Sequence, residues 1–170
     1  MKAMVVYSTK TGNTKKVAEA ILKVMPAETS IYSVENAPSP EEYAFIALGY
    51  WVDRGGPDAS AKEYMTKIAG KKVCLFGTLG AYPDSDYAQK AMTNARVAIE
   101  TKNEVVGEFI CQGKIDPRLI DKFKSLPPEH PHAMTPERIK RHQEAAKHPN
   151  EEDFVAAQTY FRQVVARLYD

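Results

Sequence analysis

Two rhythms of polar and apolar residues alternate along this chain. Residues Ala3 to Tyr7 (AMVVY) form an unbroken apolar run, the pattern of a strand covered on both faces, and the polar stretch Ser8 to Gly12 ends it abruptly. From Asn13 to Met25 the residues Val17, Ala18, Ile21, Leu22 and Met25 recur at helical spacing, and Pro26 supplies the stop. Ser30 to Val34 then alternates like a short edge strand, and Pro38 and Pro40 mark a loop or a helix start. Tyr43 to Tyr50 (YAFIALGY) reads as a second buried strand. Trp51 to Ser60 is dense in turn formers and leads to a short helix over Ala61 to Ala69, closed by Gly70. Val73 to Gly77 (VCLFG) is the next central strand, followed by a loop from Thr78 to Ser85. Ala88, Ala91, Met92, Ala95, Val97 and Ile99 predict a sheet-packed helix over Asp86 to Glu100, and Val105 to Cys111 predicts a fifth strand. A last helix, Glu151 to Leu168, carries Phe154, Val155, Gln158, Phe161, Val164, Val165 and Leu168 on one side.

Strands that alternate with helices argue for a parallel sheet covered on both faces, because parallel neighbours need long right-handed crossovers. The 170 residues are about the size of one domain, and we expect a single one over residues 1–170. Its irregular part is the connection of residues 113–150, which holds Pro117, Pro127, Pro128, Pro131, Pro136 and Pro149, with helical turns predicted at Arg118 to Lys124 and Pro136 to Lys147.

Composition narrows the function. Lys and Arg total 23 against 22 for Asp and Glu, the signs are interspersed, and no nucleic-acid footprint follows. Cys74 and Cys111 each lie inside an apolar run, which suits small buried hydrophobes in a cytoplasmic protein better than a disulfide framework. No apolar run approaches the span of about 18 residues that a membrane helix needs, and the amino terminus lacks a signal-peptide pattern.

In an open parallel sheet, ligands bind beyond the carboxyl ends of the strands, where the strand order reverses. The first such loop, Ser8-Thr9-Lys10-Thr11-Gly12-Asn13-Thr14, packs hydroxyls, an amide and a glycine into the turn that opens a helix. Hydroxyls and backbone N–H groups there can surround one terminal phosphate at the positive end of the helix. It is neither a Walker loop nor a three-glycine dinucleotide turn. The plainer alternative is that Ser and Thr merely cap the helix. The second loop offers Trp51 beside Tyr50, and the third offers Tyr82, with Tyr87 past the turn. Taken singly each is a packing aromatic; together they match a flat heteroaromatic ring attached to the phosphate. His130 and His132, set among prolines without Cys or carboxylate partners, make poor metal ligands, and we expect no metal site.

The stretch Val5-Val6-Tyr7-Ser8-Thr9-Lys10-Thr11-Gly12-Asn13-Thr14 resembles the amino-terminal FMN-phosphate signature of the flavodoxins. Ile46-Ala47-Leu48-Gly49 with its Trp/Gly loop, and Cys74-Leu75-Phe76-Gly77-Thr78-Leu79-Gly80, resemble that family's second and third FMN loops. The resemblance covers residues 1–112 and, by pattern, the last helix. It implies an α/β fold of the flavodoxin-like kind, a three-layer αβα sandwich on a five-stranded parallel sheet in the order 2-1-3-4-5. It also implies FMN as cofactor. By that likeness Ser8, Thr9, Thr11, Gly12, Asn13 and Thr14 hold the phosphate, with Lys10 in the same turn. Trp51 and Tyr82 flank the isoalloxazine, with Tyr50 beside them. The backbone of Val52, Asp53, Arg54 and Gly55, and of Thr78, Leu79, Gly80, Ala81 and Tyr82, meets its polar edge. No catalytic residue is assigned, since FMN supplies the electron chemistry and the protein tunes it. Gly55 and Gly56 are candidates for a peptide that reorients beside the ring as it gains a proton.

Two features depart from the family. The chain is near neutral, and Lys10, Lys15, Lys16 and Arg54 cluster around the proposed site, either attracting an anionic ligand or partner or forming a solvated helix face. The 113–150 connection follows the fifth strand and does not interrupt it; cover for the sheet edge or a partner platform fits it better than a lid. The W-x-D-x-G loop (Trp51 to Gly55) and the H-P-x-E-E-D stretch (His148 to Asp153) resemble small flavodoxin-domain proteins that look like dedicated electron donors or accessory subunits of reductases. The expected function is therefore electron transfer with a redox partner protein, as a monomer or weak homodimer, in the cytoplasm. An FMN-dependent NAD(P)H oxidoreductase and a flavin-free accessory module are the alternatives.

Overall fold

Apolar runs long enough to be covered on both faces build the centre of the protein, as a computed structural model of the chain shows for residues 1–169. The strands are β1 (Ala3–Tyr7), β2 (Ser30–Ser33), β3 (Phe45–Asp53), β4 (Gly56–Pro57), β5 (Lys72–Leu79) and β6 (Glu104–Gln112). Five of them are parallel, side by side in the order β2-β1-β3-β5-β6, which is the expected 2-1-3-4-5 once the short β4 is set apart. β4 pairs antiparallel with the end of β3.

The helices are α1 (Asn13–Leu22), α2 (Ala59–Met65), α3 (Asp86–Val97), α4 (Pro117–Lys124), α5 (Pro136–Ala145) and α6 (Glu151–Tyr169). On one face, Val17, Ala18 and Ile21 of α1 and Ala157, Phe161 and Val164 of α6 pack against Val5, Ala47, Cys74 and Phe76 of the sheet. On the other, Ala61, Tyr64 and Met65 of α2 and Ala95 of α3 cover Met4, Val6, Ile46, Leu48 and Leu75. Each large side chain buried in this way contributes about 1.5–3 kcal/mol. Cys74 and Cys111 are buried free thiols, and burial pushes both well above the ordinary thiol range, which keeps them protonated and inert.

Segment ends differ from the sequence expectation where tertiary contacts decide them. The helix expected to run to Met25 ends at Leu22, and the helix expected from Ala61 begins at Ala59, because Asp58 caps it. The strand expected to stop at Tyr50 continues to Asp53. Its extension is paired, Val52 with Pro57 and Asp53 with Gly56, so the turn-rich segment is a hairpin. Arg54 and Gly55, at its tip, both have positive φ (51° and 80°), as a two-residue primed turn requires.

At the carboxyl end of the sheet an aromatic ring lies over a glycine on each face. A Cβ on Gly49 would come within 2.3 Å of the Phe76 ring, and one on Gly77 within 2.8 Å of the Tyr50 ring. Gly49 and Phe76 are register partners, as are Tyr50 and Gly77. Tyr50 is thus a core residue, 1% exposed. The strand period points it into the sheet face, opposite to Trp51.

The 113–150 connection carries α4 and α5. No residue of α4 is fully buried. Phe123 stacks on His132 (5.8 Å between centroids) and on His142 (6.4 Å), and His130 lies 5.7 Å from His132. Two histidines here titrate in opposite directions. Burial holds His142 below the ordinary histidine value, and Arg141 and Arg138 add to it. Burial also opposes charge on His148, but hydrogen bonds with Asp153 (Nδ1 to Oδ2, 2.6 Å) and Glu144 (Nε2 to Oε1, 3.3 Å) outweigh it and leave the value raised. The stability contributed by neutral His142 is therefore present above the ordinary value of about 6.5 and lost as pH falls through its lowered one. That from charged His148 is full below about 6.5 and lost as pH rises through its raised value. An NMR titration should put the two midpoints on opposite sides of free histidine; a His148 midpoint below it would refute the His148 clamp.

Candidate functional site

The first, second and third loops, after β1, β3 and β5, meet at the carboxyl edge of the sheet, where β1 and β3 lead their chains to opposite faces. The first loop runs into α1 through Gly12, whose φ of 94° turns the chain and whose Cβ position faces open space. Asp58, Ser85, Asp116 and Thr135 cap the starts of α2, α3, α4 and α5, and Asn150 accepts from two N–H groups opening α6. Of the six α-helices among the described residues, α1 alone begins without a side-chain cap, and it has no acidic residue in its first turn. Its leading N–H groups and the positive helix end therefore face the loop, the arrangement that accepts an anion.

The structure also gives the hydroxyls of this loop separate duties. The Ser8 hydroxyl donates to Asp58 Oδ2 (2.5 Å), Thr9 Oγ1 accepts from Gly12 N (3.0 Å), and the Thr14 and Thr78 hydroxyls share a hydrogen bond (2.8 Å). Thr11 is exposed. Asn13 donates to the Lys114 carbonyl (2.8 Å), which ties the first loop to the segment after β6. Ser8 and Thr14 are buried, so their side chains position the turn from below, while Thr11 and the backbone stand at its open side.

Asp58 was missed as a functional residue by sequence reasoning. Its carboxylate, in a residue only 2% exposed, accepts from Ser8 Oγ, from Trp51 N (3.2 Å) and from Ala61 N (3.2 Å). One side chain thus joins the first loop, the second loop and the start of α2. Its signal in the sequence was its place just ahead of a helix, a favoured N-cap position; the contact with Ser8, fifty residues away, had none.

In the second loop Trp51 is half-buried, and Lys10 Nζ lies 5.5 Å from its ring centroid. Lys10 thereby joins the loops as a cation over an aromatic face. Val52 packs partly against the core, Asp53 is half-buried, and Arg54 is exposed at the hairpin tip. Lys15 reaches Glu19 on its own helix and Lys16 is exposed. Gly55 is held at both peptide groups, its N–H by the Tyr87 hydroxyl (3.0 Å) and its carbonyl by Asn94 Nδ2 (2.7 Å). Tyr87 is therefore a partner of the second loop.

In the third loop Thr78 and Leu79 are buried, Gly80 and Ala81 half-buried and Tyr82 exposed. A Cβ on Gly80 would meet Ile115 at 2.5 Å, and the Gly80 carbonyl accepts from Gln112 Nε2 (3.1 Å). Gly113 N donates to Leu79 O and Lys114 N to His148 O, each at 2.8 Å. Residues 112–115 thus brace the third loop on one side and the first on the other. Beyond Tyr82 lies an open groove of about 550 Å³, lined by Tyr82, Pro83, Gln112, Lys140 and the His148 cluster.

A doubly wound α/β sheet with an uncapped helix start and two loop aromatics at its switch point defines a flavodoxin-like α/β protein. The chain belongs to the flavodoxin domain family, whose model matches residues 4–162. It is 34% identical to the flavodoxin-like domain-containing protein BilS of Clostridioides difficile, over 98% of each chain. It is 30% identical to an uncharacterized protein, MJ0298, of Methanocaldococcus jannaschii, over 86% of this chain and 97% of that one. Among solved structures, oxidised Flavodoxin 2 of Bacillus cereus superposes with a TM-score of 0.61 at 20% identity, covering 99% of both chains. A flavoprotein in complex with FMN from Lactobacillus acidophilus superposes with a TM-score of 0.54 at 15% identity, covering 71% of this chain and 97% of that one. No helix among the described residues is long and apolar enough to cross a membrane.

Proposed function

We propose that this protein binds FMN and exchanges electrons with a redox partner protein, as a dedicated donor or accessory subunit of a reductase. It acts in the cytoplasm as a monomer or weak homodimer. The observation that carries the cofactor is the open start of α1 beneath a turn rich in hydroxyls, where a phosphate would meet backbone N–H groups and Thr11. Trp51 and Tyr82 stand on the adjoining loops, where they would flank a flat ring. When bound, FMN supplies one-electron chemistry; the chain's own residues bind its phosphate, orient the ring and exclude water. Lys10 and Lys16 add positive charge beside the phosphate end, which favours an anionic ligand.

A second reading, an FMN-dependent NAD(P)H oxidoreductase, is favoured by the groove beside Tyr82. It is large enough for a small molecule, and its wall sets Lys140 and His148 beside the carboxylates of Asp84, Glu144 and Asp153.

Titration of the purified protein with FMN and with riboflavin tests the phosphate site. FMN should bind at least about 100-fold more tightly, and Thr11→Ala with Thr14→Ala should weaken FMN by about 10- to 50-fold while leaving riboflavin nearly unchanged. Equal losses for both ligands would overturn the assignment of the turn to the phosphate. Direct reduction of the loaded protein by NADPH or NADH would favour the oxidoreductase over the carrier.

A further inference from the structure

The second loop is a two-residue antiparallel pairing at the edge of a parallel sheet, too little structure to hold itself in one place. What holds it is α3. The Tyr87 hydroxyl accepts the Gly55 N–H at 3.0 Å and the Asn94 amide donates to the Gly55 carbonyl at 2.7 Å. Tyr87 and Asn94 lie seven residues apart, two turns along one helix, so their side chains reach the same edge of the hairpin. Asn94 also lies against Gly56, where a Cβ would be 3.6 Å from the Asn94 Cβ. Both peptides flanking the tip residue, the 54–55 and 55–56 units, are thereby tied to side chains of α3, in addition to the pairing of Gly56 with Asp53.

We infer that Tyr87 and Asn94 are positioning residues that lock the peptides at Gly55 in one orientation and so set the potential of a flavin held beside this loop. The inference rests on the FMN reading for its redox consequence, while the lock itself is a property of the protein without cofactor. Glycine turns its peptide more readily than any other residue, and Arg54 and Gly55 already occupy the left-handed region. A peptide turning toward a ring nitrogen would have to break the hydrogen bonds to α3. The lock therefore opposes any hydrogen bond that this loop offers only to a reduced, protonated ring, and it lowers the first one-electron potential. Tyr87 is 45% exposed and Tyr87→Phe keeps its ring, so the substitution leaves the core untouched.

Three proteins test this: Tyr87→Phe, Asn94→Ala and the double variant, with Asn94→Gln as a conservative variant that can restore a donor. In the cofactor-free proteins, amide hydrogen exchange of residues 53–56 should accelerate about fivefold in each single variant and about 25-fold in the double, with the exchange of β1 and β5 unchanged. In the FMN-loaded proteins the first one-electron midpoint potential should rise in the same order, while the FMN phosphate contacts keep the affinity within about threefold. Faster exchange with unmoved potentials would leave the lock standing and overturn its redox role. Unchanged exchange would overturn the lock. A cofactor-free form that behaves as expected but takes up no FMN would count against the proposed function alone.

Discussion

Asp58→Ala should destabilise the protein by about 3 kcal/mol and cripple ligand binding at the first loop, the largest effect of any single polar substitution here. The reason is the number of groups that depend on one buried carboxylate. Ser8 Oγ, Trp51 N and Ala61 N all donate to it, and truncation leaves the three donors without their acceptor in a region closed to water. The loss of the α2 cap alone costs about 1 kcal/mol, and two further bonds to a charged acceptor bring the sum to the stated figure after the relieved desolvation of the carboxylate is set against them. Urea unfolding should show a lower midpoint with an unchanged slope, since the folded state remains as compact. Asp58→Asn, which keeps an acceptor oxygen but loses the charge, should fall between. An unfolding free energy within about 0.5 kcal/mol of the parent for Asp58→Ala would reduce this residue to an ordinary helix cap.

Gly49→Ala should cost about 3 kcal/mol through overpacking. The added Cβ would stand 2.3 Å from two atoms of the Phe76 ring, and that ring is fixed edge-on against Phe161 at 5.9 Å in the centre of the sheet. A core at crystal-like density has no room to move a phenyl ring by the required distance, so β3 and β5 must shift apart. Because Gly49 O accepts from Ser8 N (2.9 Å), the shift passes directly to the first loop. Phe76→Leu in the same chain should recover part of the loss, and the double-mutant cycle should show a coupling well above the about 0.5 kcal/mol expected for independent sites. Additive losses would mean that the strain lies elsewhere.

Much of the architecture was legible because its cause is local. The runs AMVVY, YAFIALGY and VCLFG had to be buried strands, and the helical spacing of Val17, Ala18 and Ile21 had to face them. The turn between them showed its hydroxyls and Gly12 by composition alone. The packing of Tyr50 was less plain: adjacent to Trp51 in sequence, it points to the opposite face of β3 and fills the space left by Gly77. A strand's period of two was enough to raise the doubt, but the strand's end was not visible, because Val52 and Asp53 are strand only by virtue of their pairing with Pro57 and Gly56.

By itself the sequence determined the order of strands and helices, the burial of the two cysteines and the chemistry offered by the first loop, because hydrophobic period and turn residues act over a few neighbours. Tertiary structure alone decided which residues hold the first and second loops in place. Asp58 meets Ser8 across 50 residues, Tyr87 and Asn94 hold Gly55 across 32 and 39, and Lys114 receives Asn13 across 101. Each of these is a single hydrogen bond between segments brought together by the sheet, and a polar side chain carries no periodic mark of a partner so distant along the chain.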